Sequence, residues 1–402
     1  MGLNEVASGE RLHIGFFGMR NAGKSSLVNA VTGQELSVVS DVKGTTTDPV
    51  QKAMELLPLG PVVVIDTPGL DDAGELGRLR VQKAKQVLTR TDVAVLVVDG
   101  LRGIAAEDLA LIEAFKERRI PYVIACNKAD LLLERPQDGE QMLYVSALTG
   151  EGVRQLKERL GAFARTAQGP KYLVRDLIAP GDAVVLVTPI DEAAPRGRLI
   201  LPQQMTIRDI LDAHGMVVTC QDTELKQTLD SLAVKPRMVI TDSQVFGKVS
   251  KDAPGDVWLT SFSILMARYK GDLKTLVRGA SLLGTLRTGD RVLISEGCTH
   301  HRQCNDIGTV KLPAAVRKLS GVEPVFDFTS GGEFPLDLSP YKLVIHCGAC
   351  MLNETEMQSR IARTREQGIP ICNYGVALAH CNGILRRSLE LFPDVAAVLE
   401  NH

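Results

Sequence analysis

Residues 18–25 read Gly18-x-x-x-x-Gly23-Lys24-Ser25, directly after the apolar run LHIGFFG (12–18). No other stretch restricts the fold as tightly. Glycines at this spacing let successive backbone N–H groups curl around a phosphate, with a strand entering the curl and a helix N-terminus leaving it. Lys24 then reaches the β- and γ-phosphates, and the Ser25 hydroxyl binds Mg²⁺. Asn21, Ala22, Gly23, Lys24, Ser25 and Ser26 are therefore the candidate phosphate-binding residues.

The companions of such a loop follow in order. DTPG (66–69) closes the apolar run VVVID (62–66), placing Asp66 to hold Mg²⁺ through water and Gly69 to sense the γ-phosphate with its N–H. KGTTTD (43–48) lies between loop and strand, where a switch segment belongs. NKAD (127–130) follows the run YVIACN, so Asn127, Lys128 and Asp130 are candidate base-reading residues. Asp130 can accept two N–H bonds from a guanine edge, which adenine cannot supply, and each is worth roughly 1.5–3 kcal/mol. Ser146 and Ala147, in SAL (146–148), can offer backbone N–H to the guanine oxygen. The ordered set points to GTP and GDP as ligands.

Apolar runs at 62–66, 93–99, 122–127 and 143–147 alternate with helical stretches near 75–90, 105–118 and 152–165. Strands alternating with helices imply a parallel sheet. The pattern stops near ARTAQGP (164–170), a linker. A second set of strands is expected at 182–189, 215–220, 236–242 and 256–262, with helices between them. Four strands make a small sheet for independent stability, and pairing with a second copy would cover it. A third set opens with a helix over 272–286. Its strands are expected at 291–295, 324–328, 342–346 and 370–374, with helices near 307–319, 354–366 and 384–392. The chain of 402 residues is thus expected to be α/β throughout, with three α/β domains.

Net charge is −2, from 46 basic and 48 acidic residues. This balance argues against nucleic acid or an anionic membrane as partner. The N-terminus, MGLNEVASGERLH, lacks the apolar core of a signal peptide. No apolar run approaches the ~18 residues of a membrane span. A cytoplasmic location is expected.

In such a chain disulfides are disfavoured, and clustered cysteines bind metal or react. Eight cysteines are present, and three draw together with histidines: Cys298-x-His300 and His346-Cys347-x-x-Cys350. Each group follows an expected strand end of the third set, and ligands of open α/β sheets bind beyond the carboxyl ends of strands. Cys347 and Cys350 can grip one metal centre, with Cys298 as third thiolate from a neighbouring loop. Tetrahedral zinc accepts such a set. A 4Fe–4S cluster also accepts three cysteines, with its fourth iron on a weaker ligand. The spacing leaves both metals open. Cys304, Cys372, Cys381, Cys126 and Cys220 read as bystanders or packed thiols.

The motifs MRNAGKSSLVNA (19–30) and GTTTD (44–48) resemble the TRAFAC-class GTPases, specifically their tRNA-modification, Era-like branch, over roughly residues 10–165. The resemblance implies Thr46 as the switch threonine that reaches Mg²⁺ with GTP bound, and Asn21 as a potassium ligand. Lys24, Thr46 and Gly69 then support hydrolysis. Leu70, not glutamine, follows DTPG, and leucine cannot orient an attacking water. Hydrolysis is therefore expected to be slow or helped by a monovalent cation. No catalytic base is assigned, since Glu75 in DDAGELGR does not align with a relative's glutamate.

SFSILMARYKGDL (261–273), EGCTHHRQCNDIG (296–308) and HCGACMLN (346–353), joined to the GTPase motifs, resemble the FeFe-hydrogenase maturation GTPase family, HydF. The resemblance implies a GTPase domain (1–168), a small parallel-sheet dimerisation domain (169–268) and a parallel-sheet cluster-binding domain (269–402). It implies a homodimer and a 4Fe–4S cluster on Cys298, Cys347 and Cys350, with His300, His301 and His346 as candidates for the fourth ligand or for orienting a neighbour. It also implies a carrier role. The protein would receive a diiron precursor built with radical-SAM maturases and deliver it to apo-FeFe-hydrogenase. The rival readings are a zinc-containing tRNA-modification GTPase, a GTP-regulated metallochaperone for zinc or nickel, and a signalling GTPase with a structural metal.

Overall fold

The computed structural model describes residues 8–34, 49–69, 83–167, 171–190, 199–297 and 306–400. The chain forms two compact units, 1–170 and 171–402.

The first unit is built on strands β1 (Leu12–Phe17), β2 (Val50–Leu56), β3 (Gly60–Asp66), β4 (Val93–Asp99), β5 (Tyr122–Asn127) and β6 (Met142–Tyr144). Their order across the sheet is β2-β3-β1-β4-β5-β6. Every pairing is parallel except β2 with β3. The strand side-chain period of two feeds both faces of the sheet. Val93, Val95 and Val97 join Ile14 and Phe16 in one core, while Ala94, Leu96 and Val98 join Phe17 and Phe115 in the other. Two buried faces explain why these strands read as continuous apolar runs. Helices α1 (Lys24–Thr32), α2 (Ala106–Glu117) and α3 (Val153–Ala167) accompany the sheet. Strand β2 has no counterpart in the sequence reading. It is an edge strand whose side chains are mostly in water, with only Leu56 buried.

The second unit carries two four-stranded parallel sheets. Strands β7 (Ala183–Val187), β8 (Met216–Cys220), β9 (Met238–Thr241) and β10 (Trp258–Ser261) are ordered β10-β9-β7-β8. Strands β11 (Arg291–Ser295), β12 (Val325–Thr329), β13 (Leu343–His346) and β14 (Ile371–Asn373) are ordered β12-β11-β13-β14. One continuous core joins them, bringing Val185, Val239 and Phe246 of the first sheet's layer together with Val292, Ile294, Ile345 and Val376 of the second's. Helix α4 (Phe262–Lys270) runs across residues 268 and 269, and α5 (Leu273–Ser281) follows almost at once. Residues 312–320 form α6 (Leu312–Ser320), preceded by a π-turn, and α7 spans Glu354–Glu366. The strand expected at 370–374 is shorter. Asn373 ends it and caps helix α8 (Tyr374–Cys381), its side chain accepting the Val376 N–H. That helix is apolar on nearly every side, so its sequence shows no helical period.

Order β12-β11-β13 places neighbours on both sides of β11, and the carboxyl ends of β11 and β13 open beside one another. The register pairs Ser295 with His346. In the first unit β1 likewise lies between β3 and β4. Such reversals leave a crevice at the strand ends, and each carries a candidate site.

Candidate functional sites at two strand-end crevices

The loop after β1 has the backbone that its glycines permit. Gly18 has φ +145 and a Cβ there would lie 2.2 Å from the Val97 carbonyl oxygen. Gly23 has φ +82, and a Cβ there would lie 2.1 Å from Asn127 Nδ2. Both values belong to glycine's permitted space rather than to side-chain-bearing residues. Asn21 also has positive φ, 61. Lys24 is buried and opens α1.

Asn127 ties the loop after β1 to the loop after β6. Its amide donates to the carbonyls of Ala22 at 3.0 Å and Gly23 at 3.4 Å, and its Oδ1 accepts the Ala147 N–H at 2.9 Å. Ser146 Oγ donates to Asp130 Oδ1 at 2.5 Å and so fixes the carboxylate. Lys128 donates to Asp99 at 2.5 Å. Burial raises the Asp99 pKa, but the Lys128 bond and the Leu101 N–H outweigh it, and the net shift is downward.

Ser25 Oγ donates to Asp66 Oδ2 at 2.7 Å. Asp66 Oδ1 is buried with no hydrogen-bond partner. A hydroxyl beside a carboxylate with a spare buried oxygen fits a hydrated Mg²⁺. Gly69 packs against Arg20 of the phosphate loop, its Cβ position 3.0 Å from the Arg20 Cα. Thr46, Leu70 and Glu75 lie outside the described residues.

The second crevice holds the thiols. Cys347 follows β13, and its N–H donates to the Ser295 carbonyl at 2.9 Å. Its Sγ accepts N–H from Gly297 at 3.0 Å and from Ala349 at 3.4 Å. Sulfur is a weak acceptor when protonated, so two backbone donors on one sulfur suit a thiolate. Ala349 turns the chain with φ 54, a conformation that side-chain-bearing residues seldom adopt. Cys350 is partly buried; burial pushes its thiol up to about 11, Cys347 adds to this, and Lys270 opposes it. Lys270 is 2% exposed, and its ammonium donates to the carbonyls of Leu352 at 2.9 Å and Cys350 at 3.3 Å.

His346 is fully buried, with Nδ1 2.9 Å from the Cys347 carbonyl oxygen and Nε2 2.9 Å from Arg360 Nη1. The Tyr374 hydroxyl donates to Glu296 at 3.2 Å, just before the loop that leads to Cys298, and burial drives the Tyr374 phenol far above its usual range. The structure thus brings Cys347, Cys350 and Gly297 together. Cys298, His300 and His301 lie outside the described residues. Among the described residues no group of three or more His, Cys, Asp or Glu gathers as metal ligands. The paired thiols and their N–H donors fit a soft metal centre. Lys270 and Arg360 are missing from the sequence-based candidates. Lys270 stands in the quoted ARYKGDL stretch, whereas nothing distinguishes Arg360 from Arg363 or Arg365.

Comparison with known proteins matches three successive regions of the chain. Residues 13–128 match the model of the 50S ribosome-binding GTPase family. Residues 173–271 match the hydrogen maturase F dimerization domain, and 274–391 match the hydrogen maturase F tetramerization domain. The last two matches together span more than half of the chain. The tRNA modification GTPase MnmE of Laribacter hongkongensis is 37% identical over 156 residues, 38% of this chain and 34% of that protein. GTPase Der of Nitratidesulfovibrio vulgaris is 36% identical over 163 residues, 36% of this chain and 33% of that one. The chain therefore spans about a third of the length of the curated relatives it matches. Among solved structures, Era in complex with MgGDPNP and a 16S ribosomal RNA segment superposes with TM-score 0.36 at 18% identity, over 64% of this chain and 94% of that one. A probable GTP-binding protein, engB, gives TM-score 0.32 at 24% identity, over 38% and 99%.

Proposed function

The chain belongs to the hydrogen maturase F family, with a GTPase domain that binds GTP and GDP, and from that premise we propose that it is a GTP-switched carrier for metallocofactor assembly. In this reading it binds a 4Fe–4S cluster on Cys298, Cys347 and Cys350, holds the diiron precursor of the hydrogenase active site as cargo, and delivers it to apo-FeFe-hydrogenase. Radical-SAM maturases supply the precursor, and the carrier works as an oligomer at least dimeric.

The observation that carries the reading is the Cys347–Cys350 turn, with Cys347 Sγ bonded to the N–H of Gly297, the residue before Cys298. It lies between two parallel strand ends in the unit that matches hydrogen maturase F. When bound, the cluster supplies iron with an exchangeable coordination position, which suits cargo that must arrive and leave. The chain's own part is to present thiolates, to quench their charge with N–H groups and Lys270, and to cover them from water.

In the first unit, Lys24 and the loop N–H groups bind the phosphates, and Ser25 and Asp66 hold Mg²⁺ together with Thr46. Gly69 senses the γ-phosphate, and Asn127, Asp130, Ser146 and Ala147 read guanine. Hydrolysis is slow and aided by potassium at Asn21, because Leu70 offers no group to orient water.

The test is anaerobic purification followed by iron, sulfide and zinc analysis and EPR after reduction. About four irons and four sulfides per chain, lost when Cys298, Cys347 or Cys350 becomes serine, support the reading. Activation of apo-hydrogenase by the loaded protein completes it. One zinc per chain and no reducible cluster sinks it and favours a metallochaperone.

A further inference from the structure

His346 is 0% exposed at the end of β13 and engages both ring nitrogens. Its Nε2 faces Arg360 Nη1 at 2.9 Å. Arginine has donors only and stays protonated in proteins. The hydrogen in this contact therefore belongs to the guanidinium, and Nε2 is the bare nitrogen. The ring proton must then sit on Nδ1, which donates it to the Cys347 carbonyl at 2.9 Å. The tautomer follows from the chemistry of the partner.

Arg360 is itself fixed. Its side chain is 3% exposed. Nη2 donates to the Glu356 carboxylate at 2.6 Å and to the Gly331 carbonyl at 2.9 Å. The guanidinium lies 5.1 Å from the centre of the Phe334 ring. A buried guanidinium with a carboxylate partner holds its place firmly, because moving it would strand charge. Glu356, Arg360, His346 and the Cys347 carbonyl thus form a chain of hydrogen bonds from α7 to the first thiol-bearing residue.

An imidazole ligates iron through a bare nitrogen, and here that nitrogen holds the arginine. We propose that His346 is a positioning residue which, locked by Arg360, fixes the carbonyl of Cys347 and so the first corner of the Cys347–Cys350 turn, and that it does not ligate the cluster. The proposal rests on the cluster reading above. It leaves the fourth iron to a ligand other than this imidazole. Lys270 performs the matching task at the other end of the turn, through the carbonyls of Cys350 and Leu352.

The experiment uses the full-length chain reconstituted without oxygen, labelled with ¹⁵N-histidine, as wild type, His346→Asn, His346→Gln, Arg360→Met and Arg360→Met/His346→Gln. Pulsed EPR of the reduced cluster reads directly bound histidine nitrogen, and release of iron to a chelator reads the hold of the turn. Wild type and His346→Asn are expected to show the same nitrogen couplings, since asparagine keeps an N–H donor near the Nδ1 position and a carbonyl toward Arg360. His346→Gln and Arg360→Met should each release iron several-fold faster, and the double variant no faster than either, because the two residues act as one unit. A strong histidine coupling present in wild type and lost in His346→Asn overturns the proposal. Additive losses in the double variant overturn the lock. Circular dichroism of each variant separates a loosened turn from an unfolded unit, and His346→Asn alone suffices for the nitrogen readout. Wild type that holds zinc and no cluster refutes the cluster reading instead. X-ray absorption at zinc in the same pair then decides the imidazole: histidine scattering lost in His346→Asn overturns the inference, and scattering unchanged upholds it.

Discussion

Asn127 offers a sharp test of how the nucleotide site is held. The side chain is 2% exposed and makes bonds to Ala22 and Ala147 at 3.0 and 2.9 Å, with Gly23 at 3.4 Å as a weaker third. Replacement by alanine strands the buried Ala22 carbonyl and the Ala147 N–H. A stranded buried group costs ~1–3 kcal/mol, and the Ala147 N–H, being half-buried, falls at the low end. The expected loss is ~2–4 kcal/mol in the first unit. At ~2–4 °C per kcal/mol this lowers the melting temperature by ~4–16 °C.

Aspartate at the same position decides between a hydrogen-bond account and simple packing. It has the shape of asparagine and keeps the acceptor for Ala147. Its second oxygen, however, faces the Ala22 and Gly23 carbonyls where an amide donated. Three acceptors crowd together, and one carries charge away from water. Asn127→Asp should therefore be worse than Asn127→Ala despite its closer fit. The assay is thermal melting with and without GDP, together with titration by a fluorescent GDP analogue. An aspartate variant that melts with wild type, or above the alanine variant, would refute the reasoning.

Ser25→Ala should leave the melting temperature nearly unchanged but weaken Mg²⁺-dependent GTP binding at least tenfold, since it removes the hydroxyl at 2.7 Å from Asp66; isothermal titration with and without Mg²⁺ checks this. Lys270→Met should loosen the far end of the thiol turn, because each bond from a charged donor is worth ~1.5–3 kcal/mol; iron release to a chelator should accelerate, and a rate equal to wild type would contradict the role. Cys126 is buried in β5, one residue before Asn127, and its thiol is pushed up to about 11 by burial, with Asp138 and Asp108 adding to the shift. Little thiolate forms at about pH 8, so iodoacetamide should spare Cys126 in the folded chain and label it after denaturation, as mass spectrometry would read. A fragment 171–402 should fold by itself, whereas one beginning at 272 should not, because the core of the second unit takes Val185, Val239 and Phe246 from the earlier sheet; circular dichroism and melting of the two fragments test it.

What the sequence disclosed depends on how directly chemistry dictates residue type. The phosphate loop was legible because Gly18 and Gly23 sit at positive φ with no room for a Cβ, so glycine is required there. Asp66, Asn127 and Asp130 stand in short motifs that follow apolar runs, and the structure places Asp66 and Asn127 at strand ends and Asp130 in the turn after β5. Strand β2 was hidden, because an edge strand in water shows no apolar alternation. Helix α8 was hidden for the opposite reason, since burial on nearly all sides removes the polar face that marks a helical period. The thiol motif was legible as a spacing of cysteines and histidines, but its supports were not. Lys270 ends a helix, where a lysine ordinarily faces water and favours the dipole. Here the packing of α4 against the thiol loop buries it. Arg360 is one of three arginines in α7, and only the packing of that helix against β13 selects it.

The two crevices handle negative charge in related ways. Each lies where parallel strands end beside a reversal in sheet order; on the proposed reading the first would turn backbone N–H groups to phosphate, and in the second the N–H groups of Gly297 and Ala349 face the Cys347 sulfur. They differ in what stands behind. The phosphate loop is braced by a neutral amide, Asn127. The thiol turn is braced by buried cations, Lys270 at one end and Arg360, through His346, at the other. On the proposed reading, three thiolates around a 4Fe–4S core would leave net negative charge that grows on reduction, and a nearby buried cation would favour holding it. Lys270 lies within the region matching the dimerization domain, yet it serves a loop within the region matching the tetramerization domain. Removing the first region would therefore take away both part of the common core and the cation at the second thiol, which gives a physical reason for the two regions to be joined in one compact unit.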